Sequence, residues 1–243
     1  MSLNTLKELA HGISDRNIRK IVLDILENPV LGFTDVKPLI RLEDSPAAPR
    51  KHHFFTGGLI VHTYSVAKIA LALADIIEEV YGVNISKDVI LAAAILHDVF
   101  KYYQYTPDRI NGGYRAREDW YLSHDYAIVA ELSKRGAPEK LIRAVSEAHG
   151  QVLFSTMEGF VVHLADSVDA RFGEIIQNIL LSKVKEYEKT CTVYKALDYV
   201  LMKHGIRNML QLAFHDVDSF KRVFEDVCKE MQSNDSALKP NNA

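Results

Sequence analysis

The chain has 243 residues, 48% apolar and 25% charged, the balance of a globular protein with a sizeable core. The 29 Lys and Arg against 32 Asp and Glu give a net charge of −3, without the basic excess of a protein that wraps nucleic acid. The same composition excludes a disordered chain, a collagen-like fibre and a polytopic membrane protein.

Helical spacing dominates, and strict apolar–polar alternation is almost absent. Residues 1–12 show no charged segment followed by an apolar core, so no signal peptide is expected. A first helix is predicted over 14–28, with Ser14 as its cap and Ile18, Ile21, Val22, Ile25 and Leu26 on one face. Pro46 and Pro49 make 43–51 an extended connector. Gly57 and Gly58 open a long helix to Tyr81, stopped by Gly82. Its apolar run is interrupted by His62, Lys68, Asp75, Glu78 and Glu79, too many polar groups for a membrane span, so a cytoplasmic protein is expected.

A helix over 86–103 follows, apolar on every side from Ile90 to Leu96, which places it at the centre of a bundle. Residues 106–117 read as a polar loop, then helices over 119–134 and from Pro138 to His149, with Gly150 just past the end. Further helices are expected over 158–181, 183–204 and 207–232, with a polar, frayed tail from Ser233. The fold class is therefore all-α, with about eight helices. It divides into an N-terminal helical extension (1–45), a core (46–182), C-terminal helices packed on it (183–232) and a tail (233–243). The C-terminal helices are either a dimer surface, and hence a homodimer, or the outer layer of the bundle. Cys191 and Cys228 are too few for a disulfide framework and have no metal-type spacing, so a reducing, intracellular setting is expected.

His97-Asp98 closes the buried apolar helix, where an ionised carboxylate costs several kcal/mol unless compensated. A hydrogen-bonded core pair capping the helix would satisfy it; so would a metal ion. His62, His124, His149 and Asp166 each interrupt a helix that otherwise packs inward, and helices of a bundle bring such groups together. Imidazole with carboxylate suits Fe, Mn, Co, Ni or Zn rather than Ca.

The ordered text 52–63 (His-His-Phe-Phe-Thr-Gly-Gly-Leu-Ile-Val-His-Thr), Leu96-His97-Asp98-Val99-Phe100-Lys101, Ser123-His124-Asp125, Glu147-Ala148-His149-Gly150 and 164–170 (Leu-Ala-Asp-Ser-Val-Asp-Ala) resembles the HD-domain superfamily of metal-dependent phosphohydrolases. It is similar to the subgroup that holds the HD domains of bacterial 3′-to-5′ exoribonucleases and the archaeal dihydroneopterin 2′,3′-cyclic phosphate phosphodiesterases. The resemblance implies an HD-domain helical bundle. It implies that His62, His97, Asp98 and Asp166 hold one divalent ion, and that His124 and His149 hold a second, with Asp98 bridging. Two such ions, about 3.5–4 Å apart, lower the pKa of a water and clamp phosphate oxygens. Two departures are visible: Phe100 stands where relatives often have Gly, narrowing the space beside Lys101, and Ala148 where they often have His.

Lys101 shares a helix face with His97 and Asp98 and is expected to neutralise a phosphate oxygen, or else to be a solvated helix-end lysine. His53, Arg109 and Arg115 are expected on the substrate side. Asp169 either orients a ligand or forms a surface pair, Trp120 is a packing anchor, and His163 is a satisfied core histidine. The expected activity is that of a phosphodiesterase or phosphatase on a small nucleotide-like or pterin-like, cyclic phosphate, with Asp98 and Lys101 as the catalytic pair and no strong nucleic-acid binding. A di-iron oxygenase on the same ligand set, an exoribonuclease and a non-catalytic nucleotide-binding module are the alternatives.

Overall fold

The structure, a computed structural model, describes residues 1–237. Ten α-helices are present among them: α1 (Leu3–Ala10), α2 (Arg16–Glu27), α3 (Gly58–Tyr81), α4 (Lys87–Leu96), α5 (His124–Lys134), α6 (Glu139–Glu147), α7 (Met157–Val184), α8 (Val193–His204), α9 (Ile206–His215) and α10 (Val217–Ala237). One small antiparallel hairpin joins β1 (Tyr105–Pro107) to β2 (Tyr114–Ala116). Residues 238–243, the end of the expected polar tail, lie outside the described residues; 233–237 continue α10.

The bundle is organised around α4, whose residues from Val89 to Leu96 are all buried, as an element apolar on every side requires. It packs against α3, α6 and α7, and α3 packs along α7. By length and composition α3 is apolar enough to cross a membrane; in the fold it lies against α4 and α7 and buries His62 there. The apolar residues of α1 and α2 belong to this same core. A second cluster, built on Leu180 and Val184 of α7, gathers Phe54 and Phe55 under α8, α9 and α10, so the C-terminal helices form a layer on the far half of α7.

Several boundaries differ from the sequence reading. Helix α1 went unpredicted. Asp15, not Ser14, caps α2, accepting from the amides of Asn17 (2.8 Å) and Ile18 (3.0 Å), while the Ser14 amide donates to Asp88 on α4 (2.9 Å). The helix expected to reach 103 ends at Leu96, and a 3₁₀ turn at Lys101–Gln104 follows. The expected loop at 106–117 contains the hairpin, and α5 begins at His124 rather than 119. The stretch 183–204 splits into the 3₁₀ turn Lys185–Lys189 and α8. The helix expected over 207–232 breaks at Asp216, whose carboxylate caps α10 by accepting from the Ser219 amide (3.1 Å).

The cysteines also depart from expectation. Cys191 and Cys228 are joined in a disulfide, their Cα atoms 5.7 Å apart, tying the turn after α7 to α10. Their separation of 37 residues spans a helical reversal, so spacing alone gave no sign of the bond.

Candidate metal centre

Five segments deliver the polar side chains. His62 sits on the second turn of α3, His97 and Asp98 follow the last residue of α4, His124 opens α5, His149 lies just past α6, and Asp166 is in the middle of α7. Two glycines make these approaches possible. A Cβ on Gly58 would lie 2.0 Å from the His53 carbonyl oxygen, so only glycine lets the 52–57 loop turn directly into α3. Gly150 has φ +66° and faces the His163 ring, with room for no side chain; this turn releases the chain immediately after His149.

The donors converge on two points. Around the first, His62 Nε2 is 3.3 Å from Asp98 Oδ2 and 3.2 Å from Asp166 Oδ1, and His97 Nε2 is 3.6 and 3.7 Å from the same two oxygens. Around the second, Asp98 Oδ1 is 3.1 Å from His124 Nε2 and 3.3 Å from His149 Nε2, and those two nitrogens are 3.2 Å apart. Asp98 thus turns one oxygen to each point. His62 Nε2, His97 Nε2 and Asp98 Oδ1 are buried and make no hydrogen bond. Orphaned buried polar atoms are rare in proteins. Here they face common points at spacings close to the ~3.0–3.4 Å that separate adjacent ligands of one ion with ~2.1 Å bonds. The donor set therefore fits divalent transition ions, and groups on both sides of Asp98 are close enough to share one.

The far side of each ring is also fixed. His62 Nδ1 donates to Asp169 Oδ2 (2.6 Å), His97 Nδ1 to the Ala94 carbonyl (2.9 Å) and His149 Nδ1 to Asp166 Oδ2 (3.1 Å). Each bond leaves Nε2 as the lone-pair side facing the centre. Asp169 is fully buried, so of its two sequence readings the structure supports the one that orients a ligand.

Charge is balanced locally. Burial works against ionising Asp98, but Lys101 and then His97 hold its carboxyl well below the usual range. Lys101 Nζ donates to Asp98 Oδ2 at 2.5 Å; burial disfavours the ammonium, yet Asp98 keeps its pKa above that of an ordinary lysine. Lys101 is therefore not the solvated helix-end lysine of the alternative reading. His62 and His149 follow the same pattern. Burial alone would lower both, but the carboxylates of Asp166, Asp169 and Asp98 raise His62 well above its normal value, and Asp166 with Asp98 raises His149 to about 10.

The remaining predicted residues are placed less uniformly. His53 is buried behind His62, its Nε2 3.6 Å from Asp169 Oδ2 and its ring against Gly173. It sits at φ +45°, and Arg50 at φ +64°, two strained positions that aim the loop. Its neighbour His52, with a ring 5.2 Å from that of His62, lines a cleft of about 400 Å³ with Arg50, Lys51, Asn178 and the ion pair of Arg171 with Glu174 (2.7 Å). Burial lowers the pKa of His52 to about 3 and of His53 to about 4, so both rings are neutral at neutral pH. Arg109 and Arg115 are exposed on the hairpin, and among the described residues no contact brings either to the centre; Arg115 instead approaches Glu118 (3.5 Å). Arg117 is a buried clasp, bonded to Asp119 and to the Lys37 carbonyl. Phe100 points into the core against Tyr103 rather than beside Lys101, Trp120 packs on Tyr103, and His163 Nδ1 donates to the Ala148 carbonyl. The sequence reading passed over Asp125, although it lies in a quoted motif; its Oδ1 is 2.7 Å from His124 Nε2.

An all-helical bundle that gathers imidazoles and carboxylates around two points, with a buried lysine on the shared aspartate, has the framework of a metal-dependent phosphohydrolase. Comparison with known proteins agrees. Residues 59–171 match the HD domain. The chain is 36% identical over 203 residues to the dihydroneopterin 2′,3′-cyclic phosphate phosphodiesterase of Methanocaldococcus jannaschii, covering 81% of this chain and 80% of that protein. It is 26% identical over 206 residues to the 3′-5′ exoribonuclease YhaM of Bacillus velezensis and 25% identical to that of Bacillus subtilis, in each case over 79% of this chain and 60% of the relative. No solved structure matches the chain. The chain belongs to the HD-domain family, and it is a phosphohydrolase of that metal-dependent family.

Proposed function

We propose that the enzyme is a phosphodiesterase acting on the cyclic phosphate of a small, pterin-like or nucleoside-like heterocycle, with two divalent ions at the centre. His62, His97, Asp98 and Asp166 hold the first ion; Asp98, His124 and His149 hold the second; the ions are Fe, Mn, Co, Ni or Zn. The observation that carries this reading is the orphaning of His62 Nε2, His97 Nε2 and Asp98 Oδ1 around points that Asp98 shares. When bound, the ions supply Lewis-acid stabilisation of phosphoryl charge and make water acidic enough to attack phosphorus at neutral pH.

The chain's own residues do the rest. Asp98 fixes the spacing of the two points by bridging them. Lys101, charged and nearly buried, donates to a phosphate oxygen beside Asp98 and offsets charge that grows there as the new bond forms. Asp169, the Ala94 carbonyl and Asp166 hold the imidazoles so that no reorganisation is needed. The cleft lined by His52, Arg50, Lys51 and Arg171 seats the remainder of an anionic substrate, taking the role expected of Arg109 and Arg115. A small substrate is favoured over RNA by the net charge of −3 and by the match along four-fifths of the cyclic phosphodiesterase against three-fifths of the exoribonucleases.

The test is a panel assay with Mn- or Fe(II)-loaded protein. Heterocyclic 2′,3′-cyclic phosphates should be opened to monoesters while single-stranded RNA oligomers stay intact. Shortening of RNA without turnover of any cyclic phosphate would refute the substrate class. The orienting role of Asp169 has its own expected outcome: Asp169→Asn weakens binding of the first ion about 10- to 100-fold, read by competition with a chromogenic chelator. Unchanged competition would remove Asp169 from the centre.

A further inference from the structure

Asp125, in the first turn of α5, is used by none of the roles above. Its two oxygens meet different surroundings. Oδ2 accepts from Ser123 Oγ (3.2 Å) and from Gln151 Nε2 (3.0 Å), which pins the carboxylate from outside. Oδ1 is buried and makes no hydrogen bond, although it lies 2.7 Å from His124 Nε2 and 3.4 Å from His149 Nε2. The 2.7 Å approach is that of an ion pair, but Oδ1 has hydrogen-bond geometry toward neither ring, and the three atoms are spaced as the ligands of one ion at a common position are.

That position is already marked by Asp98 Oδ1, also orphaned, at 3.1 and 3.3 Å from the same nitrogens. Two Nε2 atoms and two Oδ1 atoms therefore stand around one point, with separations of 2.7 to 3.4 Å. A carboxylate that merely oriented His124 would take its Nδ1, as Asp169 takes the Nδ1 of His62. His124 Nδ1 is instead unbonded, and Asp125 faces the nitrogen that Asp98 faces. We propose that Asp125 is a protein ligand of the second cation, joining Asp98, His124 and His149 in a site of two nitrogens and two oxygens. Ser123 and Gln151 are positioning residues that act through it.

The inference rests on the two-ion reading and deepens it. The second point becomes a four-ligand site with a formal charge of its own, comparable in donors to the first, rather than a weak annex with three. Three carboxylates, Asp98, Asp125 and Asp166, then face two divalent ions, and Lys101 adds the remaining positive charge that a phosphate diester meets.

The experiment is a Co(II) titration of the full chain, followed by visible absorption and by elemental analysis after desalting, with thermal unfolding as a control on folding. Wild type should take up two ions per chain. Asp125→Asn and Asp125→Ala should keep the first ion and bind the second at least about tenfold more weakly, with loss of its absorption bands. Gln151→Ala, which leaves every ligand in place, should weaken the second ion several-fold and keeps the test open if Asp125→Ala fails to fold. Two ions of unaltered affinity and spectrum in all three variants would overturn the assignment while leaving the two-ion centre standing. Uptake of fewer than two ions by the wild type would instead overturn the two-ion reading, and this assignment with it.

Discussion

Asp98→Ala should lower hydrolysis of a simple diester such as bis-p-nitrophenyl phosphate at least about a thousandfold, close to 4 kcal/mol of transition-state stabilisation. The size follows from position. Asp98 is fully buried and turns Oδ2 toward His62 and His97 and Oδ1 toward His124 and His149. Its removal takes a donor from both points and the counter-ion from Lys101, so the effects of one deletion are shared by every participant. Asp98→Asn separates charge from shape: it fills the same volume, keeps an oxygen acceptor, and should lose nearly as much, because a neutral amide bridges cations poorly. Steady-state kcat/KM with elemental analysis of each variant decides the matter. Activity within tenfold of wild type in the alanine variant would leave the centre without a catalytic role.

Much of this is legible in the sequence because two kinds of signal coincide in the bundle. Helical period and end signals located α3 between Gly57 and Gly82, and the unbroken apolar run of α4 placed His97 and Asp98 at the bottom of the core. A polar group in such a run is conspicuous, which is why His62, His97, Asp98, His124, His149 and Asp166 stood out. What escaped was local structure set by contacts distant in sequence. Helix α1 has eight residues, too few for a period to declare itself. The hairpin has three residues per strand, and its pairing is supported from outside, by Tyr114 bonding Thr56 and Tyr105 bonding the Ala47 carbonyl. No proline or glycine marks the break between α9 and α10; the aspartate cap there was legible as an Asp followed three residues later by an amide to satisfy, but an apolar stripe running through it concealed the stop.

The charged residues divide on the same principle. Arg109 and Arg115 read as substrate contacts because they are cations in a glycine-rich loop, yet a hairpin carries them outward. Arg50 and Lys51, neighbours in the loop before α3, meet Arg171 of α7 only through folding. Asp125 was hidden by its neighbour, since a carboxylate at the start of a helix already has a sufficient explanation in the dipole.

Glu147→Ala should cost about 3 kcal/mol of stability, or roughly 6–12 °C in the unfolding midpoint for a chain of this size. Glu147 closes α6 and is 2% exposed. Its Oε1 accepts from the Ser155 amide (2.9 Å) and hydroxyl (2.6 Å), and its Oε2 from the Thr156 amide (3.2 Å) and hydroxyl (2.6 Å). Alanine strands these donors and opens a void beside Gly159, whose missing Cβ is what admits the carboxylate. Glu147→Gln restores the volume but offers one acceptor oxygen in place of two, and should lose about half as much. Burial opposes ionisation of Glu147, but the Ser155 and Thr156 donors outweigh it and hold its pKa below the ordinary glutamate value. Its contribution is therefore complete above that ordinary value and fades as pH falls through the depressed one, so the gap between wild type and Glu147→Gln should narrow in acid. The same anchor fixes the turn that carries His149 two residues later. A loosened turn moves Nε2 off the second point while His62, His97 and Asp166 stay in place, and the alanine variant should lose affinity for one ion selectively as well as stability. Thermal unfolding with and without added Mn checks both: a smaller metal-induced rise in midpoint than in wild type is expected, and an equal rise would show that Glu147 supports the fold without supporting the centre.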